Sequence, residues 1–185
     1  ARYLPMTIER GAKLIVVVPK EICSLLRSIP GVDHVVHHLE FAGLHFDMHI
    51  PLLGFPRAFR TTLETIPNKV PYIYPDQELV KKWQPIVDAH SRGLKIGLIW
   101  AGSAFPYPGR STSIKQLSAL ADVPEVSWYS FQFDERRNQI SDAPGMNILD
   151  LGKDFNDFTD TAAAMSLMDM VVTIDTASAH LAGAL

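Results

Sequence analysis

The stretch Ile96-Gly97-Leu98-Ile99-Trp100-Ala101-Gly102-Ser103 runs an apolar segment straight into small residues. A buried strand ending in Ala-Gly-Ser is how many parallel sheets open onto a ligand, because ligands bind at the carboxyl ends of the strands. The same grammar recurs at Val171-Val172-Thr173-Ile174-Asp175-Thr176-Ala177-Ser178-Ala179-His180. Working outward, apolar runs alternate with amphipathic ones. In the second half, strands are expected at Lys95 to Trp100, Val126 to Phe131, Asn147 to Leu149 and Met170 to Ile174. Helices are expected at Ile114 to Ala121, Asp134 to Ile140, Asp157 to Met168 and Thr176 to Leu185. In the first half, helices are expected at Tyr3 to Arg10, Glu21 to Ser28, Arg57 to Thr65 and Asp76 to His90. Strands there are Leu14 to Val18, read as fully buried, His34 to His37 and Phe46 to Ile50. Strands alternating with helices imply an α/β fold with parallel sheets.

The chain has 185 residues, 47% hydrophobic and 20% charged, which supports a packed core. A net charge of -3 argues against a nucleic-acid partner. The single cysteine excludes an intramolecular disulfide and a CxxC metal site, and fits a reducing, cytoplasmic setting. No apolar run approaches the roughly 18 residues of a membrane span. The proline-rich break near Pro71 to Gly93 divides the chain into 1–75, a linker helix at 76–93, and 94–185. Each outer part is read as a Rossmann-like half. The missing strand before Tyr3 and the unclosed helix at Leu185 suggest a fragment lacking both ends. The edges this exposes favour homodimerisation.

Four places carry candidate chemistry. At Asp175-Thr176-Ala177-Ser178, a strand meets a helix of small residues, and His180 follows Thr176 by one turn; anions favour such helix starts. The bland alternative is an ordinary N-cap. After Gly102, Ser103 and Arg110 could meet an anion across a loop rich in Pro and Gly, Phe105 to Gly109. Neither GxGxxG nor GxxxxGK[ST] is present, which disfavours dehydrogenases and P-loop kinases. Asp157 and Asp160 fit a helix cap, or carboxylates binding a sugar. Five of seven histidines lie between His34 and His49. In an extended Phe46 to Ile50, His45, Asp47 and His49 share one face. That alternation fits a polar cleft edge, a solvated surface or a metal site, although no HxxxH or HExxH helix supports metal.

Together these pieces resemble glycosyltransferase family nine, the heptosyltransferase-like enzymes, and in particular the segments attached to bacterial tetratricopeptide-repeat proteins. The matching residues include Arg2-Tyr3-Leu4-Pro5, Pro30-Gly31-Val32-Asp33, Phe46 through Leu53, and Ile66-Pro67 through Pro71-Tyr72. They continue with Ile96 through Gly102, Ser130-Phe131-Gln132, Asp157 through Ala162, and Asp175-Thr176 with His180. The resemblance implies a GT-B architecture, two Rossmann-like halves facing a cleft, and metal-independent inverting transfer with no cofactor. The donor is then an ADP- or UDP-linked sugar and the acceptor a carbohydrate or protein hydroxyl. Donor contacts are implied at Trp100, Ala101, Gly102, Ser103, Arg110, Gln132, Asp157, Asp160, Asp175, Thr176, Ala177 and His180. The resemblance puts the catalytic base ahead of Ala1, with Asp47 and His49 as candidates inside the chain. Ala177 stands where the family usually has Gly, and Arg110 where relatives often carry a more basic run. A non-catalytic nucleotide-sugar-binding or scaffold module, and a sugar-nucleotide epimerase, are the competing readings.

Overall fold

The computed structural model describes residues 1–40, 43–105 and 108–185. Residues 106 and 107 of the Pro/Gly-rich loop lie outside the described residues. The chain forms two compact units, Ala1–Tyr74 with Ala184, and Pro75–Gly183 with Leu185. Both are mixed α/β with parallel strands.

In the first unit, α1 (Leu4–Glu9) precedes β1 (Leu14–Val18), which α2 (Lys20–Leu26) connects to β2 (Val32–His37). β1 and β2 pair in parallel, with Ile15 opposite His34 and Val18 opposite His37. Pro19 ends β1 and starts α2, whose Cys23, Leu25 and Leu26 are buried. The continuous β-branched run of β1 suggested burial on both faces. Instead Val16 and Val18 are buried while Val17 is 39% exposed. One face of β1 packs inward, and the other carries half-buried Ile15 and exposed Val17. Gly31 takes a positive φ of 82°, and a Cβ there would come within 2.9 Å of Ile8. The unit also packs Tyr3 parallel to Phe55 at 6.0 Å, with Phe59 beside both.

Two expected elements of this unit do not form. Phe46 to Ile50 is irregular, not a strand. Its alternating sequence finds no partner strand, and every residue from His45 to Ile50 is exposed, including Met48 at 88%. The helix expected at Arg57 to Thr65 is broken. α3 spans Phe55–Ala58, Arg60 swings to φ +50°, and Leu63–Thr65 forms one separate tight turn. A left-handed non-glycine residue cannot continue a right-handed helix.

The second unit begins with α4 (Gln77–His90), the segment expected to be a linker. Asp76 caps it by accepting from the amides of Glu78 and Leu79. α4 belongs to the body of this unit, because Trp83 and Val87 are fully buried in it. The strands that follow are β3 (Leu94–Ile99), β4 (Val126–Ser130), β5 (Leu149–Asp150) and β6 (Met170–Thr173). α5 (Ile114–Leu117) lies between β3 and β4. α6 (Phe158–Met165) leads into β6, and α7 (Ala177–Ala182) follows it. The stretch expected as a helix at Asp134 to Ile140 is a tight 3₁₀ run, Glu135–Asp142.

All four strands are parallel, in the order β5-β4-β3-β6. Starting at β3, the chain builds outward through β4 to β5, then returns to place β6 on the other side of β3. β3 is therefore buried on both faces from Ile96 to Ile99. One face packs Ile96, Leu98 and Trp100 with Ile114, Trp128 and Met146. On the other, the Tyr129 hydroxyl donates to the Val87 carbonyl of α4 at 2.8 Å, and Phe155 meets both Trp83 and Phe131.

One buried charge ties α4 to α6. Asp160 is 2% exposed, and its Oδ1 accepts from Lys82 Nζ and Trp83 Nε1, each at 2.9 Å. Its Oδ2 accepts from the backbone and side-chain nitrogens of Asn156 at 3.0 and 2.9 Å. Burial raises the pKa of this carboxyl, but the bonds from Lys82, Asn156 and Trp83 outweigh it and hold it below its ordinary value. A depressed folded pKa gives stability that is present at neutral pH and lost as pH falls through that pKa. We expect Asp160→Ala to cost about 3 kcal/mol, since it leaves buried donors without a charged acceptor. Urea unfolding at neutral pH checks this. The wild type should also lose more stability than the variant between about pH 5 and pH 3.

Candidate functional site

Because β6 returns beside β3, the chains leaving these two strands diverge to opposite sides of the sheet. This topological switch point is where α/β sheets open a crevice at their carboxyl edge. A cavity of about 330 Å³ lies there, within the second unit. Ala101, Gly102 and Ser103 border it from the exit of β3, and Gln132, Phe133 and Asp134 from the exit of β4. Thr176, Ala177 and Ser178 border it from the exit of β6, and Arg110 and Phe158 complete that wall.

Backbones must come close together here, and Gly102 makes that feasible. A Cβ on it would stand 2.7 Å from the Thr176 methyl, well inside van der Waals contact. The Gly102 amide is held by the Ser111 hydroxyl at 3.2 Å. Gly152 has a similar constraint, since a Cβ there would reach 2.1 Å from the Gln132 carbonyl oxygen.

Gln132 lines the cavity, but its amide is already engaged. Its Oε1 accepts from the Ala101 amide at 3.0 Å, and its Nε2 donates to the Ala101 carbonyl at 3.0 Å. The second Nε2 hydrogen goes to Asp134 Oδ1 at 2.8 Å. Both donors are used, so Gln132 stitches β3 to β4 and has none left for a ligand. Asp134 is in turn paired with Arg136, whose Nε lies 2.8 Å from Oδ2 and whose Nη2 also contacts it. Burial raises the Asp134 pKa, yet hydrogen bonds from Arg136 and Gln132 outweigh it and hold the carboxyl below its ordinary range. Its charge is therefore matched locally.

Arg110 has no such match. Among the described residues it forms no ion pair. Its Nη1 donates to the Asp175 carbonyl at 3.3 Å, and its Nη2 to the carbonyls of Ser103 and Phe105 at 3.2 and 3.5 Å. Its Nε is buried without a partner among the described residues. A guanidinium whose bonds among the described residues go only to neutral carbonyls, with its buried Nε–H unused, is suited to an anion.

Of the donor-side residues expected from sequence, Ala101, Gly102, Ser103, Arg110, Gln132, Thr176 and Ala177 line the cavity. Five others are placed differently. Trp100 is fully buried beneath the β3 exit, its indole N–H donating to Gln139 at 3.0 Å. Asp157 caps α6 through the Thr159 amide at 2.7 Å. Asp160 holds α4 to α6. Asp175 is exposed and offers its backbone carbonyl to Arg110, while His180 is exposed and does not line the cavity. α7 has only six residues, so it adds little dipole to the site.

Phe133, Asp134 and Phe158 line the cavity without having been singled out in the sequence. Asp134 carries one local signal, accepting from the Arg136 amide as a cap at 3.1 Å. In the first unit, Asp47 and His49 are exposed, with His49 edge-on to Phe46 at 6.1 Å. Among the described residues no three His, Cys, Asp or Glu side chains come together to hold a metal ion, so His45, Asp47 and His49 form no such group. Among the same residues no helix is long and apolar enough to cross a membrane. No family model, curated protein or solved structure matches the chain.

Gln132→Ala should act on the framework, leaving both the Ala101 amide and carbonyl unpaired in a buried place. The expected loss is about 2–3 kcal/mol of unfolding free energy, measurable by urea denaturation.

Proposed function

We propose that the second unit binds the diphosphate of a nucleotide-linked sugar at the β3–β6 crevice, as part of a GT-B-type, heptosyltransferase-like glycosyltransferase. The supporting observation is the meeting of an unpaired guanidinium with a cavity at the switch point of a parallel sheet. In the transfer this reading implies, an acceptor hydroxyl attacks the anomeric carbon while a base takes its proton, and the nucleoside diphosphate departs. Arg110 would stabilise the charge growing on the leaving group. The Ser103 and Thr176 hydroxyls would supply neutral donors beside it.

Asp134 is the one carboxylate among the cavity-lining residues, and it is poorly suited to be the base. Its pKa is lowered and its oxygens are occupied by Arg136 and Gln132. A general base works best with a pKa near the operating pH. The base is therefore assigned outside this cavity. The same observation favours a second reading, a nucleotide-sugar-binding module without catalysis.

Calorimetric titration with ADP, UDP and their sugar conjugates tests the binding common to both readings. Arg110→Ala should weaken affinity about 10- to 100-fold, the loss of one charge-assisted hydrogen-bonded contact. His180→Ala should leave it within about twofold, as expected of an exposed residue outside the cavity. A folded wild type without measurable affinity for any of these ligands would remove the nucleotide-sugar reading. A transfer assay with donor alone and with candidate acceptors then separates an enzyme from a binding module.

A further inference from the structure

Arg110 does more than face the cavity. Its fork joins two separate loops: Nη2 holds the β3 exit through the Ser103 and Phe105 carbonyls, and Nη1 holds the β6 exit through the Asp175 carbonyl. These loops flank the crevice on either side. The bonds are long, at 3.2 to 3.5 Å, and their acceptors are neutral. Charge-assisted bonds to an oxyanion are shorter and roughly twice as strong. Among the described residues the buried Nε adds a donor that none of these three bonds satisfies.

From these contacts we infer that Arg110 is a two-position strap. With the crevice free, it ties the β3 and β6 exits together through main-chain carbonyls. When a phosphate-type anion enters, the guanidinium turns Nε and one Nη onto the anion and releases the Asp175 carbonyl. Ligand entry is then coupled to freeing the loop that leads from β6 into α7. The inference rests on the anion-binding reading of the same crevice and adds the conformational consequence. The strap needs a planar fork, so Arg110→Lys separates charge from strapping: an ammonium keeps the attraction but cannot span both loops.

Inorganic pyrophosphate is the probe, and nuclear magnetic resonance of the full chain is the readout. The Arg110 Nε–H signal is identified by its loss in Arg110→Lys. On titration of the wild type, this signal and the Asp175 carbonyl-carbon signal should shift together, with one apparent affinity. Without pyrophosphate, amide exchange around Gly102–Ser103 and Asp175–Thr176 should quicken about tenfold in both Arg110→Lys and Arg110→Ala. Arg110→Lys should retain more pyrophosphate affinity than Arg110→Ala. If pyrophosphate shifts Gly102 and Thr176 while Arg110 Nε and the Asp175 carbonyl stay fixed, the strap is overturned and the anion reading survives. If no resonance responds, both fall. The wild-type titration decides even where a variant fails to fold.

Discussion

The crevice depends on one side-chain amide. Gln132 closes a two-bond ring with the backbone of Ala101, so the first residues beyond β3 stay in register with those beyond β4. Strand pairing alone ends near Leu98 and Ser130. Past that point no ladder holds the chains together, and buried backbone groups must find other partners. An amide side chain serves because it carries an acceptor and two donors, a hydrogen-bonding set like that of the strand it replaces. Its third bond, to Asp134, orients it and passes the load to Arg136. The space that opens at Gly102 therefore has rigid walls on two sides, set by hydrogen bonds that belong to the fold.

Two charged groups of this unit illustrate opposite solutions to burial. Asp160 is enclosed and saturated by donors from Lys82, Trp83 and Asn156. A carboxylate in that state is structural, since any ligand would have to displace a bond of equal quality. Arg110 is also partly enclosed, yet among the described residues it meets carbonyls only and its buried Nε–H has no partner. Incomplete satisfaction of a buried charged donor calls for an explanation that the saturated Asp160 does not, and the anion reading proposed above supplies one.

β3 was legible as an apolar run, buried from Ile96 to Ile99, whereas β4 and β6 were legible from their β-branched and aromatic residues between turn residues, although no residue of β6 is fully buried. The alternation at Phe46 to Ile50 has the same period, but it lacks a partner strand, and period alone cannot supply one. The helix expected beyond Ala58 failed at Arg60, where the backbone turns left-handed at a residue whose type gives no warning. At the site, the small residues Ala101, Gly102, Thr176 and Ala177 were visible since close backbone approach demands them. Trp100 was not separable from them in sequence, because position along a strand does not say which side chains turn inward. Asp160 looked like one half of a cap, and its real partners Lys82 and Trp83 lie far away in the chain. Asp134 signalled only a cap, and residue type alone did not show that the side chains of Gln132 and Arg136, two residues away on either side, would occupy its carboxylate.

Local pairing also fixes the sign of the crevice. Asp134 is cancelled by Arg136, and Asp175 turns its carbonyl to the arginine. What remains uncompensated in the lining is the single positive charge of Arg110, although the chain as a whole carries -3. Distant surface charges are screened over about 10 Å at ordinary ionic strength, whereas a partly buried guanidinium is screened far less. The local charge therefore outweighs the global one in choosing a ligand. A neutral sugar alone gains little from such a wall, and a cation is repelled by it. The rings of Phe133 and Phe158 border the same crevice. Under the nucleotide-sugar reading proposed above, a ligand that joins a phosphate to a ring would use both kinds of lining, where a free anion would use Arg110 alone.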